Sequence, residues 1–120
     1  MKTDGKLPNG QVPIVELPDG KTLNQFIDIL RYFGIKHGYY KPESAELSYE
    51  ADWVVDTIAD CKSEYQQFFS KTAMTEEQMT AHVEARKKLY TLLEDKLGDK
   101  KFFGGTKLNI GDFRVTSYLY

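Results

Sequence analysis

From Gly10 to Leu23 the chain reads "GQVPIVELPDGKTL": Val12, Ile14, Val15 and Leu17 are strand formers, and Pro18-Asp19-Gly20 is a turn in which proline fixes φ and glycine takes the φ > 0 position. The stretch predicts a β-hairpin. Pro13 lies inside it without an N–H for a ladder, so it belongs on an edge, at a strand start or at a break. After the hairpin the apolar positions change rhythm. Leu23, Phe26, Ile27, Leu30 and Phe33 or Gly34 recur at helical spacing, which predicts a short helix from about Asn24 to Lys36, ended by Gly38.

Tyr39, Tyr40 and Lys41-Pro42 then form a connection, and Ser44 is placed to cap a long helix running to about Ser70. Its stripe, Val54, Ile58, Cys61, Tyr65 and Phe68, advances by 4, 3, 4 and 3 residues and makes one continuous face. A helix from about Glu76 to Leu97 repeats the device with Met79, Val83, Tyr90, Leu93 and Leu97. Joined by the short link "KTAMT", the two should pack as an antiparallel pair. Gly98 stops the second helix and Gly104-Gly105 mark a loop. In "LNIGDFRVTSYLY", Asn109 can cap the N–H of Asp112 while Asp112 reaches back, a variant of the capping box. Phe113, Val115, Tyr118 and Leu119 promise an apolar face on this last helix. It reaches Tyr120 short of an ordinary helix length, and a single hairpin with one helix is marginal alone, so both ends are expected to belong to something larger.

Composition narrows the function classes. The 120 residues carry 16 basic and 18 acidic side chains, for a formal charge of −2, and the basic residues are scattered, which argues against nucleic-acid binding. Cys61 is the one cysteine, so neither an internal disulfide nor a multi-cysteine metal site can form, and a reducing compartment, the cytoplasm, fits. No apolar run approaches the roughly 20 residues of a bilayer span. His37 and His82 are too few and too far apart for a metal site, and Cys61 on an apolar helix face reads as a buried thiol rather than a nucleophile.

The order "LPNGQVPIVEL", a turn, "LNQFIDILRYFGIKHGYY", two long helices and "LNIGDFRVTSYLY" resembles a cytosolic glutathione transferase, most like the sigma class. The most specific segments are "GQVPIVE" and "ILRY" with their spacing. The resemblance runs from about Gly5 to Tyr120 and implies an α+β, mostly helical chain. Residues 1–40 would be the C-terminal part of a thioredoxin-like glutathione-binding domain, a β-hairpin plus helix, and residues 41–120 an incomplete all-α C-terminal domain.

The resemblance also implies a site. Pro13 would be the cis-proline of the thioredoxin-like fold, and Gln11 and Val12 would lie with it against glutathione, the Val12 backbone pairing with the cysteinyl part. Gln25 and the backbone N–H of Phe26 would hold the γ-glutamyl carboxylate at a helix N-terminus. The family usually has serine where Phe26 stands, and a small buried residue where Asp28 stands. Asp60, with Asp56 one turn earlier, would reach the γ-glutamyl amine bound to the other subunit of a homodimer. Tyr65, Gln66 and Phe69 would line the opening for the small electrophile. The family's thiol-activating residue ends the first strand, which would precede Met1, so no catalytic residue is assigned and enzymatic activity of this chain stays open. Two functions follow: a glutathione transferase that conjugates or isomerises small electrophiles with glutathione when complete, or a non-catalytic scaffold or assembly subunit of the same fold.

Overall fold

A computed structural model describes residues 10–66 and 74–119, with side chains described for all of these except 62–66. The order of elements is β1 (Ile14–Glu16), β2 (Thr22–Asn24), α1 (Phe26–His37), α2 (Ala45–Gln66), α3 (Glu76–Leu97) and α4 (Ile110–Leu119). This is the α+β, mostly helical architecture expected from the sequence. The hairpin is antiparallel, with Ile14 opposite Asn24 and Glu16 opposite Thr22. Its turn closes through the Gly20 N–H to the Leu17 carbonyl at 2.9 Å and the Lys21 N–H to Asp19 Oδ1 at 3.0 Å, with Gly20 at φ 84°. Pro18-Asp19-Gly20 therefore acts as the turn chemistry requires.

Helix α1 begins two residues later than the periodicity suggests and ends at Gly38, which adopts the left-handed conformation at φ 79°. The N–H groups of Tyr39 and Tyr40 both donate to the Gly34 carbonyl, at 2.7 and 3.0 Å, so the last turn is closed within the chain. Gly34 is buried because a Cβ there would overlap Ile110 and press on Tyr40: this is where α1 meets the start of α4.

Helix α2 begins as expected after Ser44, whose Oγ accepts from the Leu47 N–H at 3.3 Å. It is the central helix and is buried on two faces. Val54 and Ile58 pack with Leu89 and Leu93 of α3 and with Phe103; Ala51 and Val55 pack with Ile110, Ile27, Leu30 and Tyr40. The single-stripe expectation covers only the first of these. Alanine at 51 and valine at 55 are small enough for a neighbour to sit close, and that signal is easily passed over beside larger residues. Cys61 packs partly buried against the first cluster, as a structural thiol does.

The Lys96–Glu50 ion pair, 2.8 Å, joins the end of α3 to the start of α2, the antiparallel pairing expected. Helix α3 has the predicted limits and a complete capping box: the Gln78 N–H donates to Thr75 Oγ1 at 3.2 Å and the Thr75 N–H to Gln78 Oε1 at 3.0 Å. Only its second half is buried. Leu89 and Leu93 enter the core, whereas Met79 and Val83 are exposed. Residues 67–73, which include Phe68, Phe69, the expected end of α2 near Ser70 and the first part of the KTAMT link, fall outside the described residues.

Candidate functional site

The hairpin register decides what stands at its open end. The ladder ends with Ile14 opposite Asn24, so Pro13 and Val12 precede that pair on one strand while Gln25 and Phe26, the first residue of α1, follow it on the other. Val12, Pro13, Gln25 and Phe26, two at each strand end, thus come to the same end of the hairpin, and they are four of the six site residues expected from the sequence. The Val12–Pro13 bond is cis. Val12 lies outside the strand, makes no backbone hydrogen bond among the described residues and is 78% exposed. Gln11, next before it, is also exposed.

Gln25 holds φ 69° and ψ 114°, and among the described residues it alone takes a positive φ without being a glycine. Backbone in that region costs an L-residue on the order of 1–3 kcal/mol, and it persists where the surroundings impose it. The start of α1 has no side-chain cap. The first intrahelical bond runs from the Ile29 N–H to the Gln25 carbonyl at 2.9 Å, so the amides ahead of it point out of the helix end without an intrahelical acceptor. Together with the helix dipole they favour an anion.

Two basic groups flank this helix end. Arg114 of α4 is only 6% exposed, places its guanidinium 4.9 Å from the Phe26 ring centroid, and leaves its buried Nε without a hydrogen-bond partner. Burial pushes its pKa down. On the other side Arg31 joins α1 to α2: its Nε and Nη2 each lie 2.9 Å from Asp52 Oδ1, and Tyr40 donates to Asp52 Oδ2 at 2.7 Å. Asp56 stands 3.8 Å from Arg31 Nη2 and Asp28 3.9 Å from Nη1. Burial would lower the Arg31 pKa, but the hydrogen bond to Asp52 and the carboxylates of Asp52 and Asp56 outweigh it, and the net shift is upward. Tyr40 is pushed up by burial and by its bond to Asp52.

This Arg31–Asp52–Tyr40 clamp escaped the sequence reading. Its signals were a charged residue within the apolar pattern of "ILRY" and an acid between Ala51 and Trp53, but the pairing across 21 residues follows only from how α1 crosses α2. Asp56 belongs in part to this clamp within the chain. Asp60 is exposed one turn further along α2. Tyr65 and Gln66 lie on α2 beyond the described side chains, and Phe69 lies outside the described residues. No group of three or more His, Cys, Asp or Glu suited to a metal occurs among the described residues. No helix among them is long and apolar enough to cross a membrane.

No family model and no curated protein sequence matches the chain. Solved structures do. A glutathione S-transferase of Caenorhabditis elegans superposes with a TM-score of 0.80 at 24% identity, over 95% of this chain and 58% of that one. The chain has the fold of a glutathione transferase. A second match, prostaglandin synthase D of Nilaparvata lugens, gives a TM-score of 0.70 at 25% identity, over 93% of this chain and 57% of that one. The chain therefore spans less than three fifths of either glutathione-transferase-fold structure. In both superpositions the matched length takes in nearly all of this chain, so the hairpin and the four helices belong to one shared architecture.

Proposed function

We propose that this chain is part of a glutathione transferase of sigma-like type, and that glutathione binds at the open end of the hairpin. The observation that carries the reading is the conjunction at one place of an exposed, unpaired Val12 backbone before a cis proline, Gln25 held at positive φ, and an uncapped helix start. In this reading the Val12 N–H and carbonyl pair with the cysteinyl backbone of the tripeptide. Gln11 and Pro13 shape the strand end. The Gln25 side chain and the Phe26 N–H take the γ-glutamyl carboxylate, which completes the helix start as a cap would. Residues 1–40 form the glutathione-binding part and residues 41–120 the helical part. The partner is a second copy placed along α2, which carries Trp53 and presents Asp60 to the ligand of that copy. The whole protein transfers glutathione to a small electrophile, or uses it to isomerise one, in the cytoplasm.

A second reading is favoured by one observation: the Phe26 ring, 40% exposed and stacked with Arg114, occupies the position where a hydroxyl would serve the carboxylate. In that reading the fold is a non-catalytic scaffold. Calorimetric titration with glutathione separates the two. Glutathione-site function requires saturable binding that weakens about tenfold to a hundredfold in Gln25→Ala, the loss of one charge-assisted hydrogen bond. Absence of saturable binding supports the scaffold.

A further inference from the structure

A guanidinium taken out of water is costly unless an opposite charge or a hydrogen-bond acceptor meets it. Asn109 and Arg114 are the buried polar side chains among the described residues. Asn109 accepts from the Gly111 and Asp112 N–H groups at 2.8 and 3.4 Å. Arg114 has no such return. Its Nε lacks a hydrogen-bond partner, and its guanidinium enters no ion pair among the described residues. Other partly buried cations are engaged: Arg31 with Asp52 at 2.9 Å, Lys96 with Glu50 at 2.8 Å, and Arg86 with the Tyr90 hydroxyl at 2.6 Å.

The unpaired guanidinium stands at the open helix start. Ile110 meets α1 at Gly34, near its end, and Arg114, one turn along α4, reaches over the ring of Phe26, the first residue of α1. Asp28, the acid of that first turn, lies 3.9 Å from Arg31 and forms no pair with Arg114. The ring is a platform. An arginine over an aromatic face gains from the contact and still has its N–H edge for hydrogen bonds, and that planar fork matches a carboxylate. Phe26 therefore removes a hydroxyl from the helix start and seats beside it a group able to replace one.

We propose that Arg114 is a specificity-determining residue of the site at the open end of the hairpin: its guanidinium, seated on Phe26, takes the γ-glutamyl carboxylate of glutathione in place of a hydroxyl. This rests on the glutathione reading of that site. The carboxylate then lies between the Gln25–Phe26 helix start and Arg114, and it gives the buried charge its partner. The test is calorimetric titration of the full chain with glutathione and with 4-aminobutyryl-Cys-Gly, which differs only in lacking that carboxylate. Arg114→Met should weaken glutathione about tenfold to a hundredfold and leave the analogue unchanged. Arg114→Lys, with the charge but not the fork, should fall between. In Phe26→Ser, which restores a hydroxyl and removes the platform, Arg114→Met should cost less than about threefold. Because the guanidinium is unpaired without ligand, Arg114→Met should leave the urea midpoint of the free chain at or above that of the wild type. A lower midpoint marks a structural role and overturns the proposal. Unchanged glutathione affinity in Arg114→Met, or equal losses for glutathione and the analogue, overturns it too and leaves the glutathione reading standing. If glutathione does not bind the wild type, both fall together.

Discussion

The start of α4 and the start of α1 are built in opposite ways. At α4, Asn109 Oδ1 accepts from the Gly111 and Asp112 N–H groups at 2.8 and 3.4 Å, and Asp112 takes the Asn109 N–H at 2.9 Å with one oxygen and the Phe103 N–H with the other. Asn109, Ile110 and Gly111 are buried there, so the chain meets its own amides with its own side chains. At α1 the residue in the capping position is Gln25, which caps nothing, takes a costly backbone conformation and stands exposed with Phe26. A helix start that only has to fold is closed by the chain. One left open beside an unpaired strand end is available to a ligand, and folding energy has been given up to keep it so.

The comparison can be broken first at α4. Asp112→Ala removes two backbone bonds to a partly buried carboxylate and should lower stability by about 2–4 kcal/mol in urea denaturation. A loss below about 0.5 kcal/mol would mean that the closed start does not hold the 103–112 loop. The clamp that sets α1 against α2 should come next. Asp52→Ala strands Arg31 and the Tyr40 hydroxyl, each partly buried, and should cost about 1–3 kcal/mol, read from the same denaturation midpoints. If Asp52→Ala matches the wild type, the α1–α2 crossing rests on the packing of Ile27 and Leu30 against Ala51 and Val55.

At α1 the sign reverses. Gln25→Gly relieves the positive φ and should raise stability by about 1 kcal/mol, whereas Gln25→Ala keeps the conformation and should change it little. A destabilised glycine variant would show that the Gln25 side chain supports the fold. The smallest effect is a pH dependence. The Tyr40 pKa is raised in the fold above its ordinary value of 10.0, so its contribution is full below that value and is lost as pH rises through the higher folded value. Tyr118 is also raised by burial and adds to the same alkaline loss. Tyr40→Phe should therefore flatten the fall in stability above pH 10 without removing it, as followed by denaturation at successive pH values.

What could be read in the sequence was local. The turn at Pro18-Asp19-Gly20, the caps at Ser44 and Asn109, the stop at Gly38 and the limits of α3 all follow from residues within a few positions of one another. Long-range arrangement was legible only where a pattern implied it. The double burial of α2 by Ala51 and Val55, the exposure of Met79 and Val83, and the Arg31–Asp52–Tyr40 clamp depend on which helices cross, and no periodicity encodes a crossing. At the candidate site, Pro13 in a strand context announced an unusual strand start. The positive φ of Gln25 could not be anticipated, since glutamine carries no preference for it. Neither could Arg114 under Phe26, because an arginine on a terminal helix reads as solvated until its neighbours are known.

The most direct test of the open helix start is an amide NMR titration of the full chain with glutathione. The account predicts saturable shifts at Val12, Gln25, Phe26 and Ile27, with the amides of Gly111 and Asp112 unmoved because their acceptors are already in place. Saturable binding that moves Gly111 and Asp112 and leaves Val12 and Phe26 still, or no shifts at the start of α1 at any concentration, would contradict it.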